Sequence, residues 1–452
     1  MKIIIVGYGK VGSHLAKLLS FEDHQVTVID VNRSSVEEAV DEYDVIGING
    51  NGASFPIQEE AGVDGCDMFI AVTGNDELNI MSCMVADRSG AKRTIARVRN
   101  TDYSGQLLFL QNKLGVDLII NPEFETAMEL SRVIEFPAAT KLETFARGRV
   151  ELAEVTVTED SPLNGLMLKD LRKKLDVAML ICAVQRQDEV FIPLGSFILR
   201  AGDKVHFTAD RLQLAGIFKA IGLRKKKIKT VFIVGGSRTA YYLAQYLLKT
   251  GKKVKLVERD PQRAALIEDA LDGASVICGD GTDPDLLFEE GISSFDACVA
   301  LTQIDEENII LSMYAAGQGV QKTACKINRD PLVGMMNATL SDCSVVCPKT
   351  TTAGIILRYI RAIDNAHGSS VRTLYKILDS KAEALEFIVA DECPLAGKAL
   401  KELKLKRNVI VACVSRHKEV IIPDGNTVIK DGDSVIVITS GTPLTDLSEI
   451  LE

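Results

Sequence analysis

Residues 1–30 read MKIIIVGYGKVGSHLAKLLSFEDHQVTVID. The apolar run Ile3 to Val6 predicts a buried strand. Gly7, Gly9 and Gly12 follow as GxGxxG, an apolar helix comes next, and a second strand ends on Asp30. Each part has a physical task in a dinucleotide-type fold. Gly7 permits the tight strand-to-helix turn, Gly9 lets a phosphate approach the backbone, and Gly12 lets the helix lie close on the strand. The helix points free N–H groups and the positive end of its dipole at that phosphate. Asp30 is placed to accept hydrogen bonds from both hydroxyls of an adenosine ribose, and its charge disfavours a 2′-phosphate, hence an NADP-specific site.

Ligands of open parallel sheets bind beyond the carboxyl ends of the strands, so three further turns belong to the same crevice. Asn49-Gly50-Asn51-Gly52 follows the third strand, Val72-Thr73-Gly74-Asn75-Asp76 the fourth, and Ile95-Ala96-Arg97 ends the fifth. Asn51, Thr73 and Gly74 are candidate ligand contacts; the plainer reading of the fourth-strand turn is a helix cap made by Thr73 and Asp76. Arg97 is the firmer candidate, because a lone arginine ending a buried parallel strand requires a partner and a phosphate supplies one.

The chain then repeats itself. Gly7 and Asp30 correspond to Gly235 and Glu258 at an offset of 228. Gly50-Asn51-Gly52 corresponds to Gly279-Asp280-Gly281, and Thr73 through Asn79 to Thr302 through Asn308, at an offset of 229. A second kind of module repeats too. Pro162-Leu163-x-Gly165-x-x-Leu168 answers to Pro394-Leu395-x-Gly397-x-x-Leu400, and the turn Ala201-Gly202-Asp203 to Asp431-Gly432-Asp433. Its short alternating strands around one helix are an α+β pattern. Each half is therefore expected to hold a nucleotide-type domain of about 120 residues, a linking helix, and a small domain of about 80. The cationic stretch Gly222 to Lys229 between the halves reads as a solvated linker.

The second fingerprint departs from the first, with Gly235, Ser237 and Ala240 in place of the three glycines and Arg238 in the turn. A Cβ at Ser237 stands where backbone should approach a pyrophosphate. Glu258 keeps the ribose acid, and Asp280 and Lys326 are retained or similar. The readings are a second, altered nucleotide site or a surviving scaffold.

Length and composition bound the rest. At 452 residues and roughly 150 per domain, several cores are expected. A formal net charge of -10 argues against a general nucleic-acid or anionic-membrane surface. Apolar runs such as Val177 to Val184 fall well short of the roughly 20 residues that span a bilayer. The start already reads as strand and turn without an apolar leader, so a cytosolic location is expected. The ten cysteines sit mostly singly in apolar runs, as small buried residues in a reducing compartment do. Cys343 and Cys347, the only close pair, lack the companions of a metal site. Catalysis has little to stand on: His14, His24, His206, His367 and His417 do not repeat between halves, and no GxSxG, HExxH or P-loop is present. No catalytic residue and no metal ligand is assigned.

GYGKVG with Asp30, the NGNGAS turn, VTGNDELN, IARVR and the P-L-x-G-x-x-L module with its AGD turn, duplicated in one chain, resemble the TrkA family over nearly its entire length. Those proteins are cytosolic regulatory subunits of Trk-type potassium transporters. The resemblance implies an α/β fold of two Rossmann-like parallel-sheet domains, each followed by a small α+β RCK C-terminal domain. The implied boundaries are 1–121, a crossover helix and linker at 122–140, 141–223, a basic linker at 224–229, 230–347, a second crossover helix and linker at 348–372, and 373–452. It implies NAD(H) or an adenine nucleotide (ATP, ADP or AMP) as ligand, held by Gly7, Tyr8, Gly9, Lys10, Val11, Asp30, Thr73, Gly74 and Arg97. In the second half the counterparts are Gly235, Gly236, Ser237, Arg238, Thr239, Glu258, Thr302, Gln303 and, replacing an arginine, Lys326. It also implies a homo-oligomeric gating ring, dimer or tetramer, docked through a TrkH-like potassium-translocating subunit on the inner face of the cell membrane, with no nucleic-acid partner. An NAD-dependent oxidoreductase built on the first domain is the alternative. The helices Glu125 to Ile134 and Thr351 to Ile360 carry apolar residues at helical spacing. As crossover helices they pack one unit on the next; as ordinary core helices they stay within their own domain.

Overall fold

The computed structural model describes residues 1–22, 24–100, 103, 114–139, 141–145, 149–187, 189–223, 226–340, 343–364, 371–377, 381–389, 393–417, 419–441, 444 and 446–452. His367 and the linker residues Arg224 and Lys225 lie outside them.

The first half opens with β1 (Lys2–Val6), α1 (Lys10–Ser20), β2 (Gln25–Asp30), α2 (Arg33–Glu42), β3 (Ile46–Asn49), α3 (Phe55–Glu60), β4 (Met68–Ala71), α4 (Asp76–Arg88), β5 (Thr94–Arg97), β6 (Leu118–Ile120) and the long helix α5 (Pro122–Glu135). The strands form one sheet in the order β3-β2-β1-β4-β5-β6, with β1 parallel to both β2 and β4. Ile3, Ile4, Ile5 and Val6 are all buried, as a central parallel strand covered on both faces requires. The strand order reverses beside β1, and the crevice above that switch point is where the glycine turn lies.

A small domain follows: β7 (Lys141–Phe145), β8 (Val150–Thr156), α6 (Leu171–Leu175), β9 (Met179–Arg186), β10 (Glu189–Phe191), β11 (Lys204–Asp210) and α7 (Leu214–Ala220). Its sheet order is β10-β9-β11-β8-β7. The AGD turn is locked by an arginine: Arg186 Nε and Nη2 donate to the two oxygens of buried Asp203 at 2.7 and 2.8 Å.

The second half repeats this plan with β12 (Thr230–Val234), α8 (Arg238–Lys249), β13 (Lys253–Glu258), α9 (Pro261–Ala270), β14 (Ala274–Cys278), α10 (Pro284–Glu289), β15 (Ala297–Ala300), α11 (Asp305–Gly317), β16 (Lys322–Lys326), α12 (Asp330–Thr339), β17 (Cys343–Val346) and α13 (Pro348–Asp364). Its sheet order is β14-β13-β12-β15-β16-β17. The last small domain holds β18 (Val371–Ile377), β19 (Ala382–Ile388), β20 (Val409–Arg416), β21 (Glu419–Ile421) and β22 (Ser434–Thr439), ordered β18-β19-β22-β20-β21. Arg416 grips Asp433 there at 2.8 Å through both oxygens, as Arg186 grips Asp203.

The long helices exchange between halves. Ala127, Leu130, Val133 and Ile134 of α5 share a core with Val231, Ile233, Leu243 and Leu247 of the second parallel-sheet domain. Ala353, Ile356, Leu357 and Ile360 of α13 share one with Ile3, Ile5, Leu15 and Leu19 of the first. The two helices also touch, Thr351 Oγ1 donating to Glu129 Oε2 at 2.6 Å. The small domains are joined as well: Cys182, Ala183, Ala412, Cys413, Ile436 and Ile438 lie in one shared core. Arg172 Nη2 donates to the Pro423 carbonyl at 2.9 Å.

Leu130→Ala leaves a cavity between α5 and the second half, so urea denaturation of the full chain is expected to show a loss of about 2–5 kcal/mol. A loss below about 1 kcal/mol would contradict this buried, exchanged position.

Candidate functional site

In the turn between β1 and α1, Gly7 has φ +98°, and a Cβ on it would come within 2.9 Å of the Thr73 backbone nitrogen. A Cβ on Gly12 would come within 1.9 Å of the Gly7 carbonyl oxygen; that contact is the reason α1 can start so close to β1. Gly9 differs: nothing lies within 4 Å of its Cβ position, and it sits in extended backbone as the N-cap of α1 with no side chain to cap with. The N–H groups of the first turn therefore face open space, the arrangement that receives an anion.

That space is a cleft of about 470 Å³ lined by Gly7, Gly9, Lys10, Asp30, Thr73, Gly74 and Arg97, with Val31, Gly50, Gly52 and Asn75 along its walls. At one end Asp30 accepts hydrogen bonds from the backbone N–H of Tyr8 at 2.7 Å and of Asn32 at 2.8 Å, one to each oxygen. Both bonds fix the carboxylate in place at the tip of β2. At the other end stands Arg97. Among the described residues its side chain makes one hydrogen bond, from Nη2 to the Thr73 carbonyl, and its Nε is buried with no partner. Burial, with the charge of Arg99 beside it, lowers the pKa of this guanidinium. A cation so placed gains most from an anion delivered into the cleft.

Of the remaining first-half candidates, Tyr8 offers its backbone to Asp30 while its ring is buried in the core with α1. The hydroxyl is pushed up to about 12, by burial first and then by Tyr43, Glu42 and Glu38. Val11 is a core residue. Asn51 is turned to its own loop, accepting from the Ala53 N–H at 3.0 Å. None of these three side chains lines the cleft.

The fourth-strand turn corrects the helix-cap expectation. The cap of α4 is Asn75, whose Oδ1 accepts from the Leu78 N–H at 2.6 Å. Asp76 instead takes the backbone N–H groups of Arg99 and Asn100, both at 2.8 Å, and Thr73 is held by Asn79. That asparagine is fully buried. Its oxygen accepts from Thr73 N at 2.9 Å and Thr73 Oγ1 at 2.7 Å, and its nitrogen donates to Thr73 O at 3.2 Å and Arg97 O at 2.9 Å. One side chain thus ties the two turns that present Thr73 and Arg97 to the cleft. Its repetition as Asn308, bonded to Thr302 N at 2.8 Å, Thr302 O at 3.2 Å and Lys326 O at 2.9 Å, was the signal available in the sequence.

The second half has a narrower cleft of about 170 Å³, lined by Gly235, Gly236, Ser237, Glu258, Asp280, Thr302 and Gln303. Arg238, Thr239 and Lys326 are not among its lining residues. Glu258 accepts from Gly236 N at 2.7 Å and Asp260 N at 2.9 Å, the counterpart of Asp30. The N–H and hydroxyl of Thr282 hold the Asp280 carboxyl below the usual carboxylate range. Burial lowers the Lys326 ammonium, against the opposing pull of Asp305 and of Glu123 from the first half. Lys326 thus sits near the seam between halves.

The described histidines stand apart from both clefts. His14 lies on α1 and is lowered by burial and by Lys349; His24 contacts the N-terminal amine. His206 is buried beside Glu154 at 3.1 Å, and His417 is an exposed turn residue with positive φ. Cys343 pairs not with Cys347 but with Cys325, their sulfurs 3.9 Å apart in the core. Among the described residues no cluster of three or more metal-ligating side chains occurs, and no helix is long and apolar enough to cross a membrane.

The family model of the TrkA-N domain matches residues 3–122 and 231–342, and that of the TrkA-C domain residues 152–222 and 384–452. The Trk system potassium uptake protein TrkA homolog of Archaeoglobus fulgidus is 34% identical over 453 residues, covering 100% of both chains. The Trk system potassium uptake protein TrkA of Vibrio alginolyticus is 32% identical over 444 residues, covering 97% of this chain and 95% of that one. A solved GsuK channel bound to NAD superposes with a TM-score of 0.62 at 18% identity, covering 97% of this chain and 77% of that chain. It shares the fold.

Asn79→Ala leaves the part-buried Thr73 N–H and Arg97 carbonyl without this partner, each costing up to about 1–3 kcal/mol. Thermal melts are expected to show a loss of that size or up to twice it, and an unchanged melting temperature would mean that the turns are held by other contacts.

Proposed function

The chain belongs to the TrkA family, and from that premise we propose that it is the regulatory subunit of a potassium uptake system, switched by a nucleotide in its first-half cleft. The ligand is NAD(H) or an adenine nucleotide. The observation that carries this reading is the pairing of opposite charges across one cleft: the anion-ready α1 N-terminus with Arg97 and Lys10 at one end, the fixed Asp30 carboxylate at the other. Phosphates suit the first end and ribose hydroxyls the second. An acid at the ribose end opposes a 2′-phosphate, so the nucleotide is not an NADP-type ligand.

Occupancy, rather than reaction, is the signal in this reading. A phosphate in the cleft would be held by the Arg97 guanidinium, in competition with its bond to the Thr73 carbonyl. Beside it Arg99 lies 3.8 Å from Asp76 and 3.9 Å from Glu123, and Glu123 stands in the first turn of α5. Rearrangement at the end of β5 therefore reaches the helix that is buried in the other half. A coupling of about 1–3 kcal/mol per ligand is the usual scale of such linkage. In an oligomeric ring of these chains, docked on a membrane potassium-translocating subunit, several such sites acting together bias a pore.

Calorimetry and thermal shift with ATP, ADP, AMP and NADH on the purified chain test the proposal. A nucleotide at 100 times its Kd is expected to add about 2.7 kcal/mol of stability. Asp30→Ala is expected to weaken binding by about 1.5–3 kcal/mol for each ribose hydrogen bond lost. Gly9→Val, which places a side chain in the open space at the helix N-terminus, is expected to abolish first-half binding while the protein still folds. Unchanged affinity in both variants, or a substrate-dependent absorbance change at the nicotinamide wavelength, would overturn the proposal.

A further inference from the structure

The two clefts have the same parentage and opposite states. In the second, the helix N-cap is Ser237 instead of glycine, and its Oγ accepts the Ala240 N–H at 3.3 Å. A first-turn donor that faces open space in α1 is thereby satisfied within α8. The turn itself is also spoken for. Gly236 N donates to Glu258 just as Tyr8 N donates to Asp30, but here the Gly236 carbonyl also accepts from Nη2 of Arg263.

Arg263 is the feature without a counterpart. It lies in the first turn of α9, and the residue 228 positions earlier is Ser35, on α2. Its guanidinium reaches from α9 to the glycine turn, and it lines the cleft together with Arg259. The cations that serve the phosphate end of the first cleft are absent from this one: Arg238 and Lys326, at the places of Lys10 and Arg97, do not line it. The remaining space is about 170 Å³ against about 470 Å³.

We infer that Arg263, with Ser237, closes the second cleft to nucleotide, so that one chain carries one nucleotide, in its first half. The inference rests on the nucleotide reading of the first cleft. Its physical content is that the second half keeps the ribose-side carboxylate while an internal guanidinium and an internal hydroxyl take up the turn's hydrogen-bonding groups. A duplicated protein of this design pairs a half that responds to ligand with a half whose glycine turn is permanently braced by its own side chain.

Calorimetric stoichiometry with ADP and with NAD, on the full chain, tests it. The wild type is expected to bind one equivalent per chain and Gly9→Val none. Arg263→Ala combined with Ser237→Gly is expected to bind two, and this double variant placed on Gly9→Val is expected to bind one. Circular dichroism and melting temperature establish that each variant is folded. Two equivalents in the wild type, one equivalent surviving in Gly9→Val, or weaker total binding in Arg263→Ala would overturn the inference, the last by making Arg263 a ligand contact. A folded double variant that stays at one equivalent would overturn it too. No heat in the wild type would overturn the first-cleft reading instead, and the gain of an equivalent in the double variant would then still decide this one.

Discussion

A parallel sheet built from strands as apolar as Ile3-Ile4-Ile5-Val6 must be covered on both faces, and each half of this molecule leaves part of that covering to a helix from the other. α5 lies in the core of the second parallel-sheet domain and α13 in the core of the first. The exchange removes the freedom that a linker ordinarily gives neighbouring domains. Separating the halves exposes Leu130, Ile134, Ile356 and Ile360 together with the sheet helices they cover, several fully buried side chains at once, each worth about 1.5–3 kcal/mol. Polar contacts ride on the same surface: Asn121 Nδ2 donates to Tyr242 Oη at 3.1 Å, and Arg361 on α13 pairs with Glu22 at the end of α1.

That constraint gives the cleft its reach. A ligand at a switch point ordinarily affects only the turns it touches. Here the strand that ends in Arg97 is followed by Arg99, whose carboxylate neighbours are Asp76 on α4 and Glu123 on α5. Among the described residues Glu123 and Arg99 each keep a buried polar atom without a hydrogen bond, Oε2 and Nε respectively. Such groups are costly to leave unmade, and a network holding several of them is held less firmly than a fully paired one. The buried clamp of Asn79 on the adjoining turn contrasts with it, since both ends of that amide are satisfied. Rigid and adjustable elements thus lie side by side at the end of β5.

How much of this was legible in the sequence follows from what each residue's pattern specifies. The glycine fingerprint, the apolar strands and the duplication specify backbone geometry, and the two parallel-sheet domains with their turns at the carboxyl ends of the strands followed from them. The exchange of α5 and α13 did not follow. A stripe of apolar residues at helical spacing states that a helix is buried and is silent about which neighbour buries it. Asn75 and Asn79 are four residues apart, one just before α4 and one within its first turn; which of them caps the helix and which is buried depends on the strand beyond, and Arg97 supplies the second carbonyl only once β4 and β5 are paired. The last aspartate of the AGD turn and of its second-half counterpart Asp431-Gly432-Asp433 was visible as a repeat, yet the partners Arg186 and Arg416 come from a different strand and were not singled out.

The third glycine of the fingerprint shows what duplication holds fixed and what it releases. A Cβ at Gly12 would lie 1.9 Å from the Gly7 carbonyl oxygen, closer than any relaxation of a side chain relieves, yet the second half carries Ala240 there, fully buried. Gly235 retains the positive φ of Gly7, +96° against +98°, so the strand exit itself is unchanged. The difference must therefore lie in how α8 meets the turn, and the Ser237 hydroxyl on the Ala240 N–H marks the place. Where the helix N-terminus is capped by a side chain of its own turn, as at Ser237, the third residue of the helix carries a Cβ that the open N-terminus of α1 has no room for. Replacement of the middle glycine by the capping serine and tolerance of the alanine are then one structural change seen at two positions.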